Sequence, residues 1–277
     1  MSELTWSRYG KSRVRLVKLK RRQDPHEIVD LTIDVQLEGD FDRVFTHGDN
    51  SACLATDTMK NTVYAFASQN PIDHVEAFAI RLADHFASQP PVERVRIGAA
   101  EQRWERLSVG DRPHPHAFVQ AGGEQWITTV TRDPRGIEVV AGIANLVVLK
   151  TTDSAFSGFP RDRFTTLSET EDRILATSVT AEWKYASASA DFEARHAIRQ
   201  ALVEAFAAHQ SRSVQHTVYA MGEAALAACR DVSEITLALP NRHHVKVDLA
   251  PFGLDNPNEI FVATDQPYGL IEATIRR

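Results

Sequence analysis

The sequence predicts an α+β fold in which antiparallel sheets carry helices on one face. Apolar and polar residues alternate strictly from Val29 to Glu38, which is typical of a strand with one buried and one solvated face. Apolar residues recur at helical spacing from Ile72 to Ser88, which indicates an amphipathic helix. A comparable order of strands and a helix follows in the second half. Strands joined by short turns pair antiparallel, and a helix of this kind buries its apolar side against such a sheet.

The first half predicts four strands around one helix. Pro90 and Pro91 end the helix, because proline cannot continue it. Gly122 and Gly123 are expected to break the last strand. The predicted elements are a strand Arg13–Lys20, a turn at Gln23, Asp24 and Pro25, a strand Val29–Glu38, a helix Ile72–Ser88, and strands Val92–Arg106 and His116–Arg132.

The second half predicts the same order again, after a turn at Asp133–Gly136. The predicted elements are strands Ile137–Lys150 and Arg173–Tyr185, a helix from Ala194 to Phe206, and strands Val214–Tyr219 and Ile235–Asp248. The halves share this order without a sequence repeat. We therefore predict tandem units, residues 1–135 and 136–277. A broad sheet with one polar face often closes a barrel with its own copies, which favours an oligomer.

Composition excludes several classes of protein. The chain has 277 residues, 43% of them hydrophobic, and a net charge of −6, so its overall charge does not attract nucleic acid or anionic membranes. The basic patch Lys18–Arg22 is expected to be a solvated strand end, with a local anion site as the alternative. No apolar run is long enough to span a membrane, and the first residues lack the apolar core of a secretory signal. The last three residues do not form a peroxisomal signal. Two cysteines, Cys53 and Cys229, suit a reducing compartment, so we expect a cytoplasmic protein.

Generic phosphate, dinucleotide and nucleophile motifs are absent from the sequence. Five other regions stand out by their order and spacing. They are Tyr9-Gly10-Lys11, the segment Ala55–Thr62, the stretch from Phe156 to Leu175, Ser213-Val214-Gln215, and Leu239–His243. In this order and spacing they resemble the urate oxidase (uricase) family over essentially the whole chain.

The resemblance implies the tunnelling fold (T-fold), with tandem units assembled as a homotetramer around a barrel-like tunnel and active sites at subunit interfaces. It also implies an oxidoreductase of purine degradation. Urate, molecular oxygen and water would give 5-hydroxyisourate and hydrogen peroxide, without a metal or an organic cofactor. Ser157 and Arg242 are small departures from the family pattern, where a bulkier aromatic and a lysine are expected.

Urate is a flat anionic purine, so its binding needs a stacking surface, a cation and an amide. Phe156 can stack on the ring, Arg173 can make a forked contact, and Gln215 offers a donor and an acceptor. Considered alone, Phe156 would more often lie in a core, Arg173 would more often form a surface ion pair, and Gln215 would more often lie on a solvated strand face. The resemblance implies that all three bind the substrate. It implies the same for the backbone N–H groups of Val214 and Asp57 and for the side chains of Thr56 and Asn241.

Catalysis must remove a proton from urate before oxygen can take its electrons. The resemblance identifies Lys11 and Thr56 as a dyad in which a neutral lysine is the base and the hydroxyl relays the proton. The imidazole of His243 can shuttle a proton or orient water. Asn241 could hold oxygen or water above the ring. A structural alternative for Thr56 and Asp57 is a helix N-cap before Met59, and both roles are compatible.

Two other functions remain possible from the residues. One is another T-fold enzyme acting on purines or pterins, such as a metal-dependent cyclohydrolase, which would need cysteine and histidine ligands. The other is a purine-binding protein without activity. His114 and His116 could share a metal on a strand face, but no third ligand is evident, and a structural loop is the stronger expectation.

Overall fold

The computed structural model describes residues 2–21 and 24–277. Gln23, in the predicted turn, lies outside the described residues. The strands of this part of the chain are β1 Tyr9–Lys20, β2 Glu27–Gly39, β3 Val92–Val109, β4 Arg112–Asp133, β5 Gly136–Lys150, β6 Leu175–Tyr185, β7 Val232–Pro240, β8 His243–Lys246, β9 Phe261–Thr264 and β10 Leu270–Arg276. Its α-helices are α1 Asp42–His47, α2 Thr56–Gln69, α3 Val75–Ala87, α4 Ala194–Ala208 and α5 Val214–Ala228. The α+β fold class is confirmed.

The chain forms two compact units. The first extends to Gly142 and includes Trp183–Glu193, and the second comprises Ile143–Glu182 and Ala194–Arg277. Strands β5 and β6 therefore contribute residues to each unit. The division of the tandem order at residues 135 and 136 stays a prediction about the sequence of elements.

In the first unit, β1, β2, β3 and β4 follow one another in an antiparallel sheet. Leu31, Ile33, Val35 and Leu37 alternate along β2, and each is fully buried. Helix α2 packs on β1, while α3 packs on β3 and β4. The apolar side of the sheet is thus covered by helices, and its polar side carries the intervening residues of β2.

In the second unit the strand order is β5, β6, β7 and β10, and β7 pairs antiparallel with β10. Helices α4 and α5 pack on each other, and α5 lies against β7 and β10. Strands β8 and β9 form a separate two-stranded antiparallel sheet. No helix among the described residues is long and apolar enough to cross a membrane.

One predicted strand was wrong. The residues expected as a strand at 214–219 begin helix α5. Val214, Val218, Met221 and Ala225 are buried at helical spacing along it. The β-branched residues near its start favoured a strand, but burial of one helical face against β7 and β10 decides the conformation.

Three predicted strands differed most from those observed. The first begins at Tyr9 rather than Arg13, so Tyr9, Gly10 and Lys11 lie within it. The strand expected to break at Gly122 and Gly123 is continuous, although the pairing of β3 with β4 shifts register nearby. The strand expected over 235–248 ends at residue 240, and β8 then joins the other sheet. Helices α1 and α2 and strands β9 and β10 were not predicted as elements.

Candidate active site

The first unit contains Lys11, Thr56 and Asp57, which we call the first half-site. Lys11 lies in β1 opposite Val35, a fully buried residue on the helix-covered side of the sheet. Thr56 is the first residue of α2, and Asp57 follows it. The charge of Lys11 makes the smallest of the contributions that lower the pKa of Asp57 (below).

The loop before α2 is tied to β1 by Tyr9. The backbone N–H of Leu54 donates to the Tyr9 hydroxyl over 2.9 Å, and the Tyr9 ring packs edge-on against Phe41. Burial, with the nearby Cys53 thiol, raises the pKa of Tyr9 to about 12. The phenol therefore stays neutral and available as an acceptor. Gly10 allows β1 and β2 to approach closely, because a Cβ there would lie 1.9 Å from the Val35 carbonyl oxygen.

Helix α2 begins without a side-chain cap. Its N-cap residue is Ala55, which offers no acceptor to the first turn, so the N-cap role considered for Thr56 and Asp57 is wrong. The Asp57 carboxylate accepts from Lys60 Nζ at 2.5 Å and from Asn61 Nδ2 at 3.0 Å. The hydrogen bond from Lys60 lowers the pKa of Asp57, and the charges of Lys60 and Lys11 add to this effect. The N–H groups of a first turn have no partners within the helix, so they can donate to a ligand.

The second unit contains the other six candidate residues, which we call the second half-site: Phe156, Arg173, Val214, Gln215, Asn241 and His243. The Arg173 guanidinium lies over the Phe156 ring, 5.3 Å from its centroid. Phe159 stacks on the same ring at 4.9 Å and an interplanar angle of 13°. Arg173 and Phe156 are both half-buried, and burial lowers the pKa of Arg173. Arg173 Nε is buried without a hydrogen-bond partner in the described part of the chain.

Backbone hydrogen bonds hold Phe156 between two other segments. Its N–H donates to the Thr170 carbonyl at 2.8 Å, and Thr170 donates back at 3.1 Å. The neighbouring Ala155 N–H donates to the carbonyl of Ser211 at 2.7 Å, close to the start of α5. Hydrogen bonds therefore fix the Phe156 segment to the residues that precede Arg173 and to the residues that precede Val214.

Helix α5 begins with a side-chain cap. The Ser213 hydroxyl accepts from the His216 N–H at 3.1 Å, as expected for an N-cap serine. Buried Val214 is the first helical residue, and exposed Gln215 is the second. The correction from strand to helix supplies a physical reason for a backbone donor at Val214, because its N–H lies in an uncapped position of the first turn.

Asn241 and His243 lie where the chain leaves β7. The Asn241 N–H donates to the Gly269 carbonyl at 2.8 Å, and the Arg242 N–H donates to the Ala176 carbonyl at 2.8 Å. Because Ala176 lies in β6, these bonds hold the turn beside the strand that follows Arg173. Asn241 Nδ2 and His243 Nδ1 are 3.5 Å apart, and both residues are half-buried.

The histidines considered as metal ligands lie in a strand, not in the expected loop. His114 and His116 are both in β4, with ring centroids 4.5 Å apart, and His26 lies 5.9 Å from His116. Among residues 2–21 and 24–277, no three histidine, cysteine, aspartate or glutamate side chains form a group that could hold a metal ion.

Sequence reasoning missed the residues that support the site. Tyr9 and Ser213 were included in the recognised segments without roles, and the stacking of Phe159 on Phe156 was not foreseen. A serine directly before a helix is a recognisable N-cap signal. The prediction of a strand over Val214–Tyr219 excluded this interpretation of Ser213.

Comparison with known proteins gives a consistent result. A family model described as uricase matches residues 7–131 and 139–272. The uricase of Arthrobacter globiformis is 48% identical over 275 residues, covering 98% of this chain and 89% of the relative. The uricase of Aspergillus flavus is 35% identical over 295 residues, covering 100% of this chain and 98% of the relative.

Solved structures agree with these sequence relatives. The crystal structure of uricase from Arthrobacter globiformis has a TM-score of 0.95 at 46% identity and covers 100% of this chain and 96% of that chain. A urate oxidase from Bacillus sp. TB-90 has a TM-score of 0.87 at 22% identity, covering 98% of this chain and 100% of that chain. The second similarity extends the agreement in fold to a distant sequence.

Proposed function

The chain belongs to the uricase family, and we infer from this membership the reaction of its site. It is a urate oxidase: urate, molecular oxygen and water give 5-hydroxyisourate and hydrogen peroxide. Urate loses two electrons to oxygen, which takes up two protons to become hydrogen peroxide. Water then supplies the hydroxyl group that the ring carries at carbon 5.

One observation carries the proposed mode of substrate binding. The guanidinium of Arg173 is half-buried beside the Phe156 ring, and its Nε lacks a partner among the described residues. A buried donor without a partner destabilises the empty site, and an anion that accepts its hydrogen bond removes this cost. A flat purine anion can stack on Phe156 and accept from Arg173 at once.

The first turn of α5 supplies further contacts in this proposal. The Val214 N–H is a donor, and the Gln215 amide can match both a carbonyl and an N–H of the substrate edge. The positive end of the helix dipole favours an anion at this position. In the other half-site, the N–H of Asp57 in α2 and the hydroxyl of Thr56 would meet the opposite side of the ring.

The proposed proton transfer begins at Lys11. A neutral Lys11 amine takes a proton that the Thr56 hydroxyl relays from urate, which leaves a more electron-rich purine for oxygen to oxidise. His243 would move or orient the water that adds to the ring, and Asn241 would hold oxygen or water above it. The lysine can act in this way only if its surroundings favour the uncharged amine over the ammonium ion.

We propose that the reaction needs no resident metal or organic cofactor, because the deprotonated substrate itself supplies both electrons. The test follows the loss of urate absorbance together with oxygen uptake, before and after exhaustive dialysis against a chelator. Turnover should be unchanged. Loss of activity in parallel with loss of a bound metal would contradict this proposal and favour a metal-dependent enzyme. Binding of urate without oxygen uptake would instead indicate a purine-binding protein.

We propose that the active protein is a homotetramer around a tunnel, with each site shared by two subunits. The first half-site and the second lie in different compact units of the chain. The surface also carries many exposed large hydrophobic side chains, a common mark of subunit interfaces. Among them are Val17, Leu19, Val119, Val147, Leu149, Val245 and Val262.

We also propose a cytoplasmic location. The two free cysteines support it, because thiols stay reduced in that compartment.

A further inference from the structure

Strand β1 contains a β-bulge immediately after Lys11. Ser12 and Arg13 stand there opposite a single residue of β2, Asp34. Arg13 has a φ of 57°, in the left-handed region that residues other than glycine seldom adopt. Its backbone N–H donates to Asp34 Oδ1 at 2.7 Å. A side chain of the neighbouring strand therefore closes the bulge.

The bulge reverses the alternation of side chains along β1. Val14 and Leu16 are buried on the side of the strand that α2 covers. In a regular strand, residues an odd number apart lie on opposite faces, so Lys11 would lie on the polar face. With the extra residue, Lys11 instead pairs with the fully buried Val35 and shares its face.

Helix α2 packs on the face of β1 that carries Lys11. The charge of Lys11 is one of the causes that lower the pKa of Asp57, in the first turn of α2. Tyr9, two residues earlier on the same face, accepts a hydrogen bond from Leu54 just before that helix. Reversal of the alternation would move both side chains away from the N-terminus of α2.

We propose that Asp34 is a positioning residue for Lys11. By accepting the Arg13 N–H, the Asp34 carboxylate holds the bulge that directs the lysine toward Thr56. Asp34 itself lies on the polar face of the sheet, where it borders a cavity of about 380 Å³ with Arg13, Thr32 and Gln36. It therefore acts through the backbone and does not touch the reacting atoms. This inference rests on the proposed function, in which Lys11 is the base.

The first test compares three substitutions in the full-length protein. Asp34→Ala removes the acceptor and should lower kcat by about tenfold or more with little change in KM, because small displacements of a catalytic group are costly. Asp34→Asn keeps a side-chain oxygen and should restore kcat to within about threefold of the parent. Thr32→Val is the matched control on the same strand and face. It loses an exposed hydrogen bond with Arg15 and should leave kcat unchanged.

The second test combines Asp34→Ala with Lys11→Met. If Asp34 acts through Lys11, the double variant should have the kcat of Lys11→Met alone, since a displaced lysine cannot matter once the lysine is absent. Independent, multiplicative losses would overturn the inference, because they would show that Asp34 acts elsewhere. Full activity of Lys11→Met would contradict the proposed role of Lys11 as the base and would overturn this inference with it.

A second pair of variants applies if Asp34→Ala does not fold. Arg13→Gly removes the side chain but readily adopts the left-handed backbone, so kcat should stay near that of the parent. Arg13→Val disfavours this backbone and should lower kcat by about tenfold or more. Its affinity for xanthine, a purine analogue of urate, should be unchanged. Equal kcat for the two variants, with Lys11→Met inactive, would overturn the positioning role and leave the proposed function intact.

Discussion

Helices α2 and α5 begin in different half-sites, and their N-termini are built differently. Ser213 caps α5 with its hydroxyl, whereas Ala55 leaves α2 without a side-chain cap. In the half-site of α5, Phe156 and Arg173 are half-buried, and backbone bonds hold Phe156. At the start of α2, Asp57 is exposed and accepts hydrogen bonds from Lys60 and Asn61 of its own helix.

This difference suggests a division of roles between the half-sites. The second half-site is half-buried, aromatic and cationic, which suits recognition of a flat anion. The first offers an amine, a hydroxyl and free helix N–H groups, which suit proton transfer. The half-sites should therefore respond differently to substitution: the first mainly in turnover, the second mainly in affinity.

The largest expected effect concerns the first half-site. Lys11→Met and Thr56→Ala should each lower kcat by about 10²-fold or more, as expected for lost acid–base catalysis, while xanthine affinity is spared. If the two residues act as one unit, the double variant should be little worse than the worse single variant. Steady-state kinetics and analogue titration measure both quantities. Weakened xanthine binding with normal kcat would reverse the assigned roles.

The second half-site should show the opposite response. Arg173→Ala and Gln215→Ala should weaken the binding of urate and of xanthine by about tenfold or more, because hydrogen bonds to charged groups contribute roughly 1.5–3 kcal/mol. Titration of xanthine measures this loss without interference from turnover. Glu259→Gln, on an exposed loop of the same unit, serves as a control for a change in surface charge. Unchanged xanthine affinity would remove Arg173 and Gln215 from the site.

Mixing of inactive chains tests whether the two half-sites meet across a subunit interface. Thr56→Ala and Arg173→Ala chains are unfolded and refolded together in equal amounts. If each site takes its halves from different chains, about a quarter of the sites should regain both intact halves, because random assembly decides each half independently. Each variant refolded alone is the control. No recovered activity in mixed tetramers identified by mass spectrometry would contradict the shared site.

The smallest effect is expected at the cap of α5. Ser213→Ala should lower the free energy of unfolding by about 0.5–2 kcal/mol, because one first-turn N–H loses its acceptor. Xanthine affinity should fall only slightly, as the helix start becomes less fixed. Ser213→Thr keeps an acceptor and is the matched control. Thermal unfolding and analogue titration check the two effects, and equal stability of the alanine and threonine variants would show that the cap is unimportant.

Local patterns in the sequence determined much of the fold. Alternation predicted β2, and helical spacing predicted α3 to within three residues at its start. These patterns are readable because each element buries one face, and burial imposes the period of the element on its own residues. The recognised segments, taken together, also identified the uricase family, which the relatives confirm. The roles of the site residues remain proposals that the experiments above can test.

Tertiary structure decided what local patterns could not. Residues 214–228 became a helix because its face packs on β7 and β10, despite β-branched residues at its start. The strand predicted to run to residue 248 ended at residue 240, because residues 243–246 pair with β9 in a separate two-stranded sheet. Lys11 faced α2 only because a bulge closed by Asp34 shifted the alternation by one residue. Each outcome depends on a partner distant in sequence, and the residues on either side of a position do not specify such a partner.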